Sequence, residues 1–169
     1  MRGKSTKTED SEAPTREAIA AHEAGHAVAA WALGRPVGRM WIDTGGGTEI
    51  GNWTELSLTD QVALHRAGAC GTQILKVLAP SWMAHKDVEK VVSEVLAGLP
   101  HSVAEEHIRR GGVRAYQFLE ANQALLKVVA NTLEQAGTLD GAEFSALAAE
   151  YGAKPFAALS QSDSAHSHR

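Results

Sequence analysis

Residues 17–33 read EAIAAHEAGHAVAAWAL, and this stretch decides how the rest of the chain is read. Alanine and other good helix formers dominate it, and its small side chains permit close packing against neighbouring elements. Thr15 stands where it can cap the first free amides, and Gly34 followed by Pro36 stops the run. The sequence therefore predicts a helix over residues 15–33. His22 and His26 are four residues apart within it. At about 100° of turn per residue, positions four apart differ by only about 40° and share one face. The segment His22-Glu23-Ala24-Gly25-His26 is thus an H-E-x-x-H motif on a helix, a pattern whose two imidazoles reach one Zn²⁺. Glu23 falls beside the metal rather than on it. From there it can take a proton from the activated water and later deliver it to a leaving amine.

A catalytic zinc takes three protein ligands and keeps a fourth position open. Residue type leaves His65, His85, Asp87, His101 and His107 as candidates for the third ligand, and spacing does not choose among them.

Outward from the first helix, residues 37–43 and 48–54 carry β-formers around Gly45-Gly46-Gly47 and predict a short hairpin. Trp41 and Trp53 are expected to pair across it, while Trp31 is expected in the core. A second helix is predicted over residues 60–78, capped by Thr59 and ended by Pro80. A third is predicted over residues 86–96, where Val88, Val91, Val92 and Val95 recur at helical spacing. Ser102 with Glu105 matches a capping box for a fourth, expected to bend or break at Gly111-Gly112 and to resume through Leu133. Gly137 closes that helix, and Asp140 with Glu143 opens a last one ending near Glu150. The fold class is mainly α, a helical domain with a small β-hairpin after the zinc-binding helix.

The 169 residues fit one domain, taken as residues 14–151. Residues 1–13 and 152–169 are polar and read as a disordered lead-in and a mostly disordered tail, the tail carrying His166 and His168. The formal net charge is −4 and no basic stripe occurs, which argues against nucleic acid. A single cysteine, Cys70, excludes a disulfide within a monomer and reads as a small buried residue. No run approaches the roughly 20 apolar residues of a membrane span, and the N-terminus lacks a signal-peptide core, so a soluble, cytoplasmic protein is expected.

Three stretches resemble the peptidase domain of FtsH-type ATP-dependent zinc proteases. AIAAHEAGHAVAAWALG (residues 18–34) is similar to the family's zinc helix. RAGACGTQIL (66–75), followed by AHKDVEKV (84–91), resembles its LAGRAAEEL helix and the later stretch that carries an acidic ligand. ANQALLKVVANTLEQAGTLDGAEFSAL (121–147) is similar to its C-terminal helices with their E-T-L-D-G-x-E-F signature. The resemblance implies a zinc metalloendopeptidase with His22, His26 and Asp87 as metal ligands and Glu23 as catalytic base. It also implies that a peptide adds as a strand to an edge of the small sheet. If Trp41 to Asp43 is that edge, the groove is short. Thr72 and Gln73 stand where the family has paired glutamates, and Lys86 precedes Asp87 where it has a small polar or acidic residue. No G-x-x-x-x-G-K-[ST] loop occurs in these residues, so the expected substrate is an unfolded or flexible polypeptide, with room for a separate unfolding or regulatory partner and for homo-oligomers. The competing expectation is a catalytically weak, zinc-stabilised helical module that binds or regulates a partner.

Overall fold

Thr15 starts the first helix as its sequence requires: the side chain accepts a hydrogen bond from the Ala18 amide at 3.1 Å. In a computed structural model that describes residues 13–152, this helix, α1, spans Arg16–Ala32 and ends before Gly34, whose φ is 69°. Alanine lines α1 on nearly every side, and most of the helix is buried. A helix that is apolar all round belongs in the middle of a domain, and α1 packs against both α2 (Leu58–Leu75) and α5 (Gln123–Ala136).

The contact with α2 is close, backbone against backbone. A side chain on Gly25 would collide with the Ala67 carbonyl, and one on Gly71 would stand 2.7 Å from the Ala21 carbonyl. The two backbones can come this close only because neither position carries a Cβ.

After α1 the chain forms β1 (Val37–Trp41) and β2 (Gly47–Ile50), antiparallel and paired Met40 to Thr48 and Trp41 to Gly47. The hairpin is therefore present. A third strand, β3 (Thr138–Leu139), which the sequence reading missed, joins the other side of β1 opposite Met40 and Trp41. The order β2-β1-β3 makes β1 central, so Trp41 is not on an edge, and among the described residues the edge strands are β2 and β3. Nor do Trp41 and Trp53 pair. Trp41 faces Gly47, and Trp53 lies past β2 in a turn of 3₁₀-helix where its ring meets His65 edge-on.

The second helix begins earlier than expected. Ser57, not Thr59, caps it by accepting from the Asp60 amide, because the Thr59 hydroxyl is engaged with His107 Nδ1 at 2.9 Å. It ends at Lys76 in the left-handed conformation, ahead of Pro80. Pro80 opens α3 (Ser81–Lys90), five residues before the expected start, and the chain continues into a π-helical turn over Val91–Val95. Of the ten residues in α3 only Met83 is buried. Helix α4 (His101–Ala121) starts after Pro100 with no side-chain cap, so the Ser102–Glu105 capping box does not form. It also runs straight through Gly111-Gly112. Gly111 serves packing, since a Cβ there would strike Val62 of α2. The break falls instead at buried Asn122, whose amide turns back to the Phe118 carbonyl at 2.7 Å. Gly137 ends α5 at φ 81°, and the Asp140–Glu143 capping box opens α6 (Gly141–Tyr151).

Six α-helices and one small antiparallel sheet make the described chain mainly helical. Among the described residues no helix is long and apolar enough to cross a membrane. Cys70 is a buried free thiol on α2, and Trp31 packs half-buried on the core. The readings made for residues 1–12 and 153–169, His166 and His168 included, lie outside the described residues.

The α1–α2 contact predicts that Gly25→Ala, which adds one methyl group against Ala67, destabilises the fold by about 1–3 kcal/mol. A urea midpoint equal to that of the parent chain would show that the contact yields freely.

Candidate metal centre

His22 and His26 lie on the face of α1 turned toward α2, and Gly68 of α2 makes room for them. A side chain at Gly68 would run into Nε2 of both rings. The second turn of α2 also orients one ring: His26 Nδ1 lies 2.8 Å from the Leu64 carbonyl. That oxygen can only accept, so Nδ1 carries the proton and Nε2 of a neutral His26 presents a lone pair.

Asp87 arrives from α3. Its Oδ2 stands 3.1 Å from His22 Nε2 and 3.6 Å from His26 Nε2, and the two Nε2 atoms are 3.1 Å apart. Asp87 Oδ2 is buried yet makes no well-directed hydrogen bond. Three electron-rich atoms thus converge where protons are too few to bridge them, which is the arrangement a cation relieves. The spacing fits as well. Tetrahedral ligands at about 2.0–2.1 Å from an ion stand about 3.3 Å from one another. His22, His26 and Asp87 together could hold a metal ion.

Electrostatics agree. Burial pushes His22 down, but the Asp87 carboxylate beside it, with Glu23 behind, outweighs this and holds it above the usual imidazole range. Burial likewise pushes Asp87 up, and the imidazoles of His22, then His26 and His65, outweigh it and hold Asp87 low. The two shifts describe one attraction between a carboxylate and the imidazole face.

Glu23 is buried beside the cluster, 7% exposed, and is not among the three converging groups. Thr48 of β2 donates its hydroxyl to Glu23 Oε2 at 2.8 Å, and Gly46 leaves room for the other carboxylate oxygen, Oε1. Glu23, His26 and Asp87 open onto a cleft of about 310 Å³, walled further by Thr48, Trp53 and His65.

His65 does not join the ligands. It stands on the cleft wall against Trp53, with Nε2 buried and unpartnered, and burial, followed by the charges of His26 and Lys90, lowers its pKa to about 4. It therefore stays neutral at physiological pH, so it adds no positive charge beside a cation site. The other three candidates are elsewhere. His85 is exposed on α3, His101 pairs with Glu105 on the surface of α4, and His107 meets Thr59. Of the five, the structure brings Asp87 alone to the imidazole pair. Thr48 and His65 as cleft residues escaped the sequence reading; a lone threonine or histidine carries no spacing signal, and both roles arise from tertiary contacts. Lys86 lies over the Trp82 ring at 4.8 Å, and the Thr72 hydroxyl donates to the Ala69 carbonyl at 2.8 Å.

No protein-family model matches this chain, and no curated protein matches it either.

Replacing Asp87 with alanine should weaken retention of a divalent ion by more than the roughly 10–100-fold typical of losing an outer hydrogen-bond partner. His85→Ala should leave retention unchanged. Metal analysis after dialysis against a weak chelator checks both, and the reverse pattern would displace Asp87 from the site.

Proposed function

We propose that this protein is a zinc-dependent metalloendopeptidase that hydrolyses peptide bonds in unfolded or flexible polypeptides. One observation carries the reading: a buried carboxylate, Glu23, is held by a threonine hydroxyl beside three converging metal-ligand atoms and opens onto a cleft. A metal bound only to stabilise helices has no use for such a carboxylate. The resemblance of residues 18–34 and 121–147 to FtsH-type peptidase domains supports the same conclusion.

His22, His26 and Asp87 would hold the zinc, leaving one position open toward the cleft. When bound, zinc supplies Lewis-acid polarisation of the scissile carbonyl and makes water acidic enough to attack at neutral pH. The chain's own residues do the rest. Glu23 takes the water's proton and returns it to the departing amine. The Thr48 hydroxyl occupies Oε2 and so directs proton exchange to Oε1. Strand β2, an edge strand of the sheet that lines the cleft, would offer main-chain donors and acceptors to an extended peptide, a mode of recognition that reads little sequence. Neutral His65 can donate a hydrogen bond to developing negative charge without repelling the metal.

The same two-imidazole, one-carboxylate set also suits redox iron. Glu23 favours zinc, since hydrolysis needs a base at that position. The notion of a soluble cytoplasmic enzyme acting with a separate unfolding partner belongs to this proposal too.

Glu23→Gln should still bind one zinc per chain while casein cleavage falls by roughly 10²–10⁴-fold. Equal cleavage by parent and variant, or none by a zinc-loaded parent, would favour a binding or regulatory module instead. Thr48→Val should lower kcat about 10-fold with KM and zinc content unchanged, and Thr48→Ser should restore it. Loss of zinc in Thr48→Val would make its role structural.

A further inference from the structure

Pairing with the main chain of β2 accepts any sequence, so selectivity has to come from the side chains that lie over that strand. Side chains alternate along a strand. The Thr48 hydroxyl bonds Glu23 on α1, and its cross-strand partner Met40 is buried, so Thr48 faces inward. Gly47 and Glu49 therefore face the other way. On that outer face β2 supplies no side chain at the level of Glu23. Gly47 has none, and the Glu49 carboxylate is drawn back over β1, where Oε2 accepts from the Arg39 amide at 3.2 Å.

Trp41 fills the gap. It stands opposite Gly47 on β1, and a Cβ at Gly47 would run into Cε2, Cζ2 and Cη2, in the six-membered half of the indole. The ring thus crosses the roughly 4.8 Å between the strands and lies over the β2 backbone. Only glycine at position 47 permits this. The Arg39 guanidinium, two residues along β1, stands 5.8 Å from the ring centroid, within cation–π reach, and helps to hold the indole. Trp41, Gly47 and Thr48 all line the cleft onto which Glu23, His26 and Asp87 open. Gly47 also lies between two residues that approach Glu23. Thr48 bonds Oε2, and a Cβ on Gly46 would stand 2.9 Å from Oε1.

We propose that the Trp41 indole, lying over Gly47, is a subsite that selects a large apolar side chain, aromatic above all, within about two residues of the scissile bond. The inference rests on the peptidase reading above and narrows its substrate. A strand added beside β2 sets one side chain abreast of Gly47 on the outer face, and the indole is then its cross-strand neighbour. Large apolar side chains are mostly buried in folded proteins, so this preference and the need for an unfolded substrate act to the same end.

Casein digested by the zinc-loaded full chain is mapped by mass spectrometry. One mapped site is then made as peptides in which each of the two residues on either side of the scissile bond is in turn Phe or Ser. At one of these positions kcat/KM for Phe should exceed that for Ser by about 3–10-fold. In Trp41→Val, which suits a strand but is too short to cross β2, the ratio should fall to about 1, and Trp41→Phe should retain part of it. A parent chain without a Phe preference at any of these positions would overturn the subsite and leave the peptidase reading intact. A preference that survives in Trp41→Val, with both rates lowered together, would overturn it too, since the indole would then only support the fold. Loss of zinc from Trp41→Val has the same meaning. A zinc-loaded parent that cleaves no peptide overturns both readings together.

Discussion

Two helices that touch backbone to backbone set the geometry of everything else. Helix α1 and helix α2 meet at Ala21, Gly25, Ala67, Gly68 and Gly71, and at three of these positions a single added carbon would strike the other helix or its side chains. This contact places the Leu64 carbonyl at His26 and clears the space over Gly68 into which both imidazoles turn. Were the helices an ordinary 8–10 Å apart with larger residues between them, the rings would face a wall of side chains. The absence of side chains on one helix thus lets side chains on the other do chemistry.

From this contact the rest of the site follows in layers. The sheet sits at the end of α1, and β2 reaches back so that Thr48 meets both the carboxylate and the main-chain carbonyl of Glu23. Helix α3 crosses the open side and contributes Asp87. Glu23, Thr48 and Asp87 each come from a different element, whereas the motif that announces the site lies wholly on one. Precision in the site is therefore a property of packing among α1, α2, α3 and β2.

The division between what could and could not be read from sequence follows the range of the forces involved. Thr15, Gly137 and the Asp140–Glu143 pair act on amides or dihedral angles within a few residues, and each ends or begins a helix where local chemistry predicts. The shared face of His22 and His26 is equally local, a matter of helical pitch. Thr59 and Gly111 misled because a distant partner claims them: His107 takes the threonine that would have capped α2, and Val62 needs the missing side chain at Gly111. The two-residue strand β3 is too short to leave a periodic signal, yet it changes which strand is the edge. Asp87 was one of five candidates by residue type. Its resemblance to a family position singled it out, and nothing in its spacing did.

Helix α3 buries one of its ten residues, Met83, and otherwise lies lightly on the domain. It nevertheless supplies one of the three groups that could hold a metal ion. An ion gripped by His22, His26 and Asp87 would fasten this helix more firmly than its own apolar surface can, so the metal would serve as a rivet as well as a reagent. Chelation would then strip the site and loosen one wall of the cleft, and the resulting loss of order would begin at α3 while the α1–α2 pair stayed intact.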